Sequence, residues 1–168
     1  NDDFYTEGTV DALEKTLCIF ENKTVARKKI SLIKLTESSQ SYFGIKAIHI
    51  DDTGSLCATA PAPLLIEFIG DSITCGFGVL SANETEPFTT QTEDATKTYA
   101  WLCAQKLGAD SIFTSYSSFG VVSGWTDSGE KNAFSLVPRI YENACFSWNT
   151  KQFETEQWDF NTVPPDLI

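Results

Sequence analysis

The chain has 168 residues, 42% of them hydrophobic and 21% charged, a balance that supports a packed core and excludes a disordered chain. Its formal net charge of −11 argues against a phosphate backbone or an anionic lipid surface as partner, so neither nucleic acid nor membrane is expected. No apolar run approaches the ~20 residues that a bilayer-spanning helix requires.

In chain order, Leu17 to Phe20, Lys29 to Thr36, Tyr42 to Ile50 and Gly54 to Thr59 are predicted as short strands. Ile30-Ser31-Leu32-Ile33-Lys34-Leu35-Thr36 and Ile45-Lys46-Ala47-Ile48-His49-Ile50 alternate in part, as half-buried strands do, and Glu37-Ser38-Ser39-Gln40-Ser41 and Asp51-Asp52-Thr53-Gly54 supply turn chemistry. Such a series suggests antiparallel sheet, yet it is too short to close a sandwich by itself. The character changes at Thr59-Ala60-Pro61-Ala62-Pro63, where a domain boundary is expected, dividing residues 1–60 from 64–168.

Beyond the boundary the pattern becomes strand, helix, strand, helix, which a doubly wound parallel sheet requires. Leu64 to Ile69 is an apolar block broken only by Glu67, the pattern of a buried parallel strand, and it empties into Gly70-Asp71-Ser72. Asp and Ser are preferred helix caps, so a bare Gly-Asp-Ser is first of all a strand followed by a helix N-cap. The same geometry can present Ser72 as a nucleophile at a helix start, where unpaired N–H groups favour an anionic intermediate.

Residues 76–93 form a long polar insertion without apolar period. Asp94 or Thr96 is expected to cap a helix that buries Tyr99, Leu102, Cys103 and Leu107, widened by Trp101 and Ala104, and that stops at Gly108. Ser111 to Tyr116 is the second strand, followed by the turn Ser117-Ser118-Phe119-Gly120. A further short helix is predicted to begin near Leu136 or Pro138. The later aromatics Phe146, Trp148, Phe153, Trp158 and Phe160 suit packing onto the sheet, with a sugar-stacking surface as the other reading.

Cys18, Cys57, Cys75, Cys103 and Cys145 are too scattered for a zinc knuckle and are expected as small buried apolar residues, Cys75 packing under Ser72. The single histidine, His49, is the one imidazole in the sequence and falls on a predicted strand before the serine, where a surface or packed strand histidine is the ordinary reading. Asp71 is expected to fix the turn by hydrogen bonding, not to act as base.

The longer string Ile66-Glu67-Phe68-Ile69-Gly70-Asp71-Ser72-Ile73-Thr74-Cys75-Gly76-Phe77-Gly78 resembles the first conserved block of the SGNH, or GDSL, hydrolases. Within that superfamily it is most similar to carbohydrate esterase family two. The resemblance implies an SGNH-type, flavodoxin-like, doubly wound α/β sheet, of which this chain holds the first half in residues 64–168. It also implies that residues 1–60 are the C-terminal part of a jelly-roll β-sandwich domain, with Ile33 to Glu37 and Asp51 to Gly54 near its end.

On this resemblance Ser72 is the nucleophile and lends a backbone N–H to the oxyanion, and Gly120, at the family's second block, lends another. The activity implied is removal of acetyl groups from xylan or another plant polysaccharide through an acyl-enzyme, with no metal or organic cofactor, by a secreted or extracellular protein. The family's oxyanion asparagine and catalytic histidine are expected beyond Ile168, on the same polypeptide or a separate chain. A lipase or thioesterase on the same fold, and a noncatalytic carbohydrate-binding protein, are the alternatives.

Overall fold

The computed structural model of the protein describes residues 6–21, 27–41, 43–143, 146–147, 152–153 and 157–168, with backbone only at 146–147 and 152–153. The chain divides into two compact units, Asn1–Ser31 and Leu32–Ile168. In the first, Lys15 pairs locally with Asp11 at 3.0 Å and the Lys28 ammonium lies over the Phe20 ring at 5.5 Å.

The larger unit is organised by two strands. β1 (Leu65–Gly70) and β2 (Asp110–Ser115) pair in parallel from Leu65 opposite Asp110 to Gly70 opposite Ser115. Two parallel neighbours need a crossover between them, and α2 (Tyr99–Leu107) supplies it. On the other edge of β1, Leu167 forms a parallel bridge with Ile66, and the Glu67 N–H donates to the Leu167 carbonyl at 2.9 Å. β1 therefore has hydrogen-bonded neighbours on both sides, which explains its apolar composition.

Glu67 interrupts that apolar run without being orphaned. Its carboxylate is buried and accepts hydrogen bonds from Thr114 Oγ1 at 2.7 Å and Tyr141 Oη at 2.9 Å. A buried carboxylate with two donors avoids most of the desolvation penalty of an unpaired one. Beside it, Phe68 stacks on Phe113 and meets Tyr99 edge-on.

α2 ends where expected, at Gly108 in the left-handed region (φ 63), but it begins later and turns a different face inward. Asp94 caps a short 3-10 turn, Ala95–Lys97, and Thr98 caps α2 by accepting the Trp101 N–H. The helix buries Ala100 and Ala104, the latter against Ile66 and Ala109, while Tyr99, Leu102, Cys103 and Leu107 are exposed. Both faces satisfy the helical period, so the pattern alone could not choose between them. The small residues allow the helix backbone close to the sheet, and that packing decides the face.

α1 (Ser72–Cys75) follows β1 directly, and α3 (Val137–Ile140) carries Pro138 in its first turn, as its missing N–H allows. α3 packs Val137 and Ile140 against Tyr116 and Phe119. A two-residue antiparallel pair, β3 (Phe146–Ser147) with β4 (Gln152–Phe153), completes the ladders.

The four strands predicted for residues 1–60 are not formed among the described residues. A strand is held by ladder hydrogen bonds and by one buried face, and the described residues of this stretch form no ladder and leave Ile30, Leu32, Ile33, Ile45, Ile48 and Ile50 exposed. The cysteines also depart from expectation, since Cys18, Cys57 and Cys103 are exposed and Cys75 is buried; the side chain of Cys145 lies outside the described residues. Of the late aromatics, Phe160 packs against Tyr141 with ring centroids 5.2 Å apart, and the side chains of Phe146, Trp148 and Phe153 lie outside the described residues. Among the described residues no helix is long and apolar enough to cross a membrane.

Candidate active site

The turn from β1 into α1 is determined by three residues. Gly70 lets the strand run directly under the helix, because a Cβ there would lie 2.0 Å from Thr74 Oγ1. Asp71 caps the helix: its Oδ1 accepts the Ile73 N–H at 3.0 Å, and its carbonyl accepts from Thr74 and Cys75. Gly76 ends the helix in the left-handed region (φ 85), against the Asp94 carbonyl, where a Cβ would come within 2.5 Å.

Ser72 is thereby the first residue of α1, half-buried at the carboxyl end of β1. Among the described residues neither its hydroxyl nor its backbone N–H has a hydrogen-bond partner. Its carbonyl, by contrast, accepts from Gly76 and Phe77. A free hydroxyl beside a free N–H is an arrangement in which an oxygen could attack and its neighbouring amide could stabilise the resulting charge. Below it, Thr74 is buried and hydrogen-bonds the Tyr99 hydroxyl at 2.9 Å, fixing α1 against the start of α2.

Gly120 lies in the turn that leaves the carboxyl end of β2, on the same sheet edge as Ser72. Its N–H donates to the Ser135 carbonyl at 3.1 Å and its carbonyl accepts from Val137 at 2.9 Å, as part of a bridge between Gly120 and Leu136. The requirement for glycine here has its own structural cause, because a Cβ would stand 2.2 Å from the Ser123 carbonyl oxygen. In the same turn Ser118 holds a left-handed conformation (φ 69), uncommon for a residue with a side chain.

Beneath α1 lies a buried polar cluster that the sequence did not announce. Glu37, Cys75 and Glu93 bring one side-chain ligand atom each within 4.8 Å of one another, all three buried. Glu37 Oε2 accepts the Ser117 N–H at 2.8 Å and faces Cys75 Sγ at 3.8 Å. Neither carboxylate oxygen of Glu93 has a partner among the described residues, and the residue is 2% exposed. Burial, reinforced by the charge of Glu37, pushes its carboxyl up to about 7.

Burial and the same neighbour push the Cys75 thiol up to about 12. Lys34 brings positive charge to the cluster. Its ammonium donates to the carbonyls of Thr36 and Glu37, and burial pulls its pKa down. Two carboxylates and a sulfur are a donor set a divalent cation could use, and the Lys34 ammonium beside them already supplies positive charge.

His49 is exposed and has no hydrogen bond to Ser72. Glu37 and Glu93 were missed because one lies in a stretch read as a turn and the other in a long polar loop. The faint signal was the run Lys34 to Glu37, which places opposite charges among apolar residues.

No protein-family model matches the chain. The cellulase/esterase CelE of Acetivibrio thermocellus is 24% identical over 160 residues, 95% of this chain. An acetylxylan esterase / glucomannan deacetylase of Cellvibrio japonicus is 25% identical over 167 residues, 97% of the chain. The solved structure of a family two carbohydrate esterase from Clostridium thermocellum, in complex with cellohexaose, superposes with a TM-score of 0.53 at 27% identity over 66% of this chain and 31% of that one. The chain is similar to family two carbohydrate esterases. It shares with the family two esterase structure an α/β fold with a parallel sheet, here the pair β1 and β2. The chain spans 18% of CelE and 43% of the Cellvibrio protein, so its likeness to family two is to part of each relative.

Proposed function

We propose that this chain is the nucleophile-bearing part of a carbohydrate acetyl esterase, in which Ser72 attacks the ester carbonyl, expels the sugar alcohol and holds the acetyl group until water releases acetate. The observation that carries the reading is the placement of Ser72: first in α1, at the carboxyl end of a parallel strand, with hydroxyl and N–H both without partners among the described residues. The relatives' names, acetylxylan esterase and cellulase/esterase, and the cellohexaose in the solved structure support an acetylated polysaccharide as substrate.

Gly120 is the second oxyanion donor in this proposal. Its N–H would exchange the Ser135 carbonyl for the developing oxyanion, and a charged acceptor makes a bond roughly twice as strong as a neutral one. The general base is a histidine outside these residues, since His49 does not engage Ser72. In the complete protein, residues 1–60 belong to the end of a jelly-roll domain and residues 64–168 begin a doubly wound, flavodoxin-like SGNH domain. A polysaccharide substrate supports a secreted or extracellular location.

Replacing Ser72 with Ala in the full-length protein should abolish acetate release from acetylated xylan and from nitrophenyl acetate, with thermal stability changed by less than ~0.5 kcal/mol. Undiminished hydrolysis would refute the assignment. Preference for long-chain acyl esters would instead favour a lipase or thioesterase.

A further inference from the structure

We propose that Glu37 is a positioning residue of the esterase site, holding the nucleophile helix and the turn after β2 at a fixed spacing from beneath. The role of Ser72 rests on the reading above; the structural link does not. Glu37 lies far upstream in the chain, yet its Oε2 meets both the Ser117 N–H (2.8 Å) and Cys75 Sγ (3.8 Å). Ser117 opens the turn that leads to Gly120, and Cys75 closes the helix that Ser72 opens. A single carboxylate oxygen thus touches both elements from which the two oxyanion donors come.

The carboxylate is itself held in place. Gln40 Nε2 reaches its Oε1 at 3.5 Å, the Glu37 carbonyl accepts from Lys34 Nζ at 3.0 Å, and the nearby Leu35 carbonyl accepts from the Ala95 N–H at 2.9 Å. The segment 34–37 is therefore fastened to the loop before α2. Glu93 and Lys34 complete the surroundings: the first presses a second carboxyl on Glu37, and the second supplies the compensating charge. Because the acceptor touches the framework and not the reacting atoms, it acts by geometry, and a displacement near 1 Å at a reacting centre can lower the rate ~100-fold.

Two conservative variants of the full-length protein separate geometry from charge. Glu37→Gln retains length and an acceptor oxygen but loses the charge; Glu37→Asp retains the charge but withdraws the oxygen by one methylene. If Glu37 positions the site, Glu37→Asp lowers kcat for acetate release about tenfold or more with KM within about twofold, and Glu37→Gln stays within about threefold of wild type. Hydrogen exchange at the Ser117 amide should quicken in Glu37→Asp and not in Glu37→Gln. The reverse order, with Asp near wild type and Gln impaired, would show that charge matters and would overturn the proposal. So would unchanged Ser117 exchange in Glu37→Asp, or a stoichiometric metal that is lost in both variants. A wild-type protein without esterase activity would defeat the functional reading while the exchange comparison still tested the structural link.

Discussion

Gly70 of β1 stands directly opposite Ser115 of β2 in the parallel register, so the two turns that follow, one bearing Ser72 and the other Gly120, leave the sheet at the same level. Each turn depends on a glycine with no room for a side chain. The common level at which the two turns leave the sheet is thus a property of the sheet register, and close packing above it maintains the turns.

Gly70→Ala tests that packing. The added methyl would lie 2.0 Å from Thr74 Oγ1 and displace the side chain that hydrogen-bonds Tyr99. We expect a loss of ~2 kcal/mol or more in urea unfolding, from overpacking plus the broken bond. Combining it with Thr74→Ala should recover part of that loss, and strict additivity of the two would exclude the clash as its cause.

Glu93 makes stability depend on pH in a definite direction. Its carboxyl is raised from 4.5 to about 7 by burial first and Glu37 second, so the folded state favours the proton. The stabilising contribution is complete below the unfolded value and is lost as pH climbs from about 4.5 through about 7. Glu93→Gln, neutral at every pH, should flatten this part of the profile and raise the unfolding free energy measured in urea at pH 8 by ~1–3 kcal/mol, because it removes the cost of ionising a buried carboxyl. Parallel pH profiles for wild type and variant would contradict it.

Tyr141→Phe removes one of the two donors that satisfy Glu67 within the sheet. A loss of ~1–2 kcal/mol is expected, because the remaining carboxylate oxygen would be buried without a partner. Burial and, after it, the hydrogen bond to Glu67 raise the Tyr141 hydroxyl pKa. The neutral phenol's contribution is therefore intact below its unfolded value and falls as pH rises above it. A spectrophotometric titration in which Tyr141→Phe loses a tyrosine that ionises above the ordinary range would match this; an unchanged titration would not.

Cysteine chemistry distinguishes α1 from the surface. Cys75, buried and pushed up to about 12, should resist iodoacetamide at pH 8 under conditions that alkylate Cys18, Cys57 and Cys103. Peptide mapping by mass spectrometry reads this directly, and early modification of Cys75 in folded protein would contradict the described packing.

Much of the α/β portion was legible in the sequence. β1 and β2 fall within one residue of their predicted bounds, because an apolar block between prolines and a Gly-Asp-Ser turn leaves few other conformations, and Gly108 ends α2 for the reason glycine usually does. The buried face of α2 was not legible, since Ala100 and Ala104 carry little hydrophobic signal and are selected only by proximity to the sheet. The strands expected in residues 1–60 have the right composition without ladder partners among the described residues. Glu37 was hidden most completely. A glutamate among serines looks like a solvated turn, and nothing local shows that its acceptor faces an amide following β2.

With β2 on one edge and Leu167 on the other, β1 has its hydrogen-bonding directions occupied from both sides. A one-residue slip of this strand would have to break both sets of bonds and would exchange the faces that Ile66 and Glu67 occupy. The height of Ser72 above the sheet is therefore set by two independent rulers. Selection could remodel the surrounding loops freely while the serine stayed where it is.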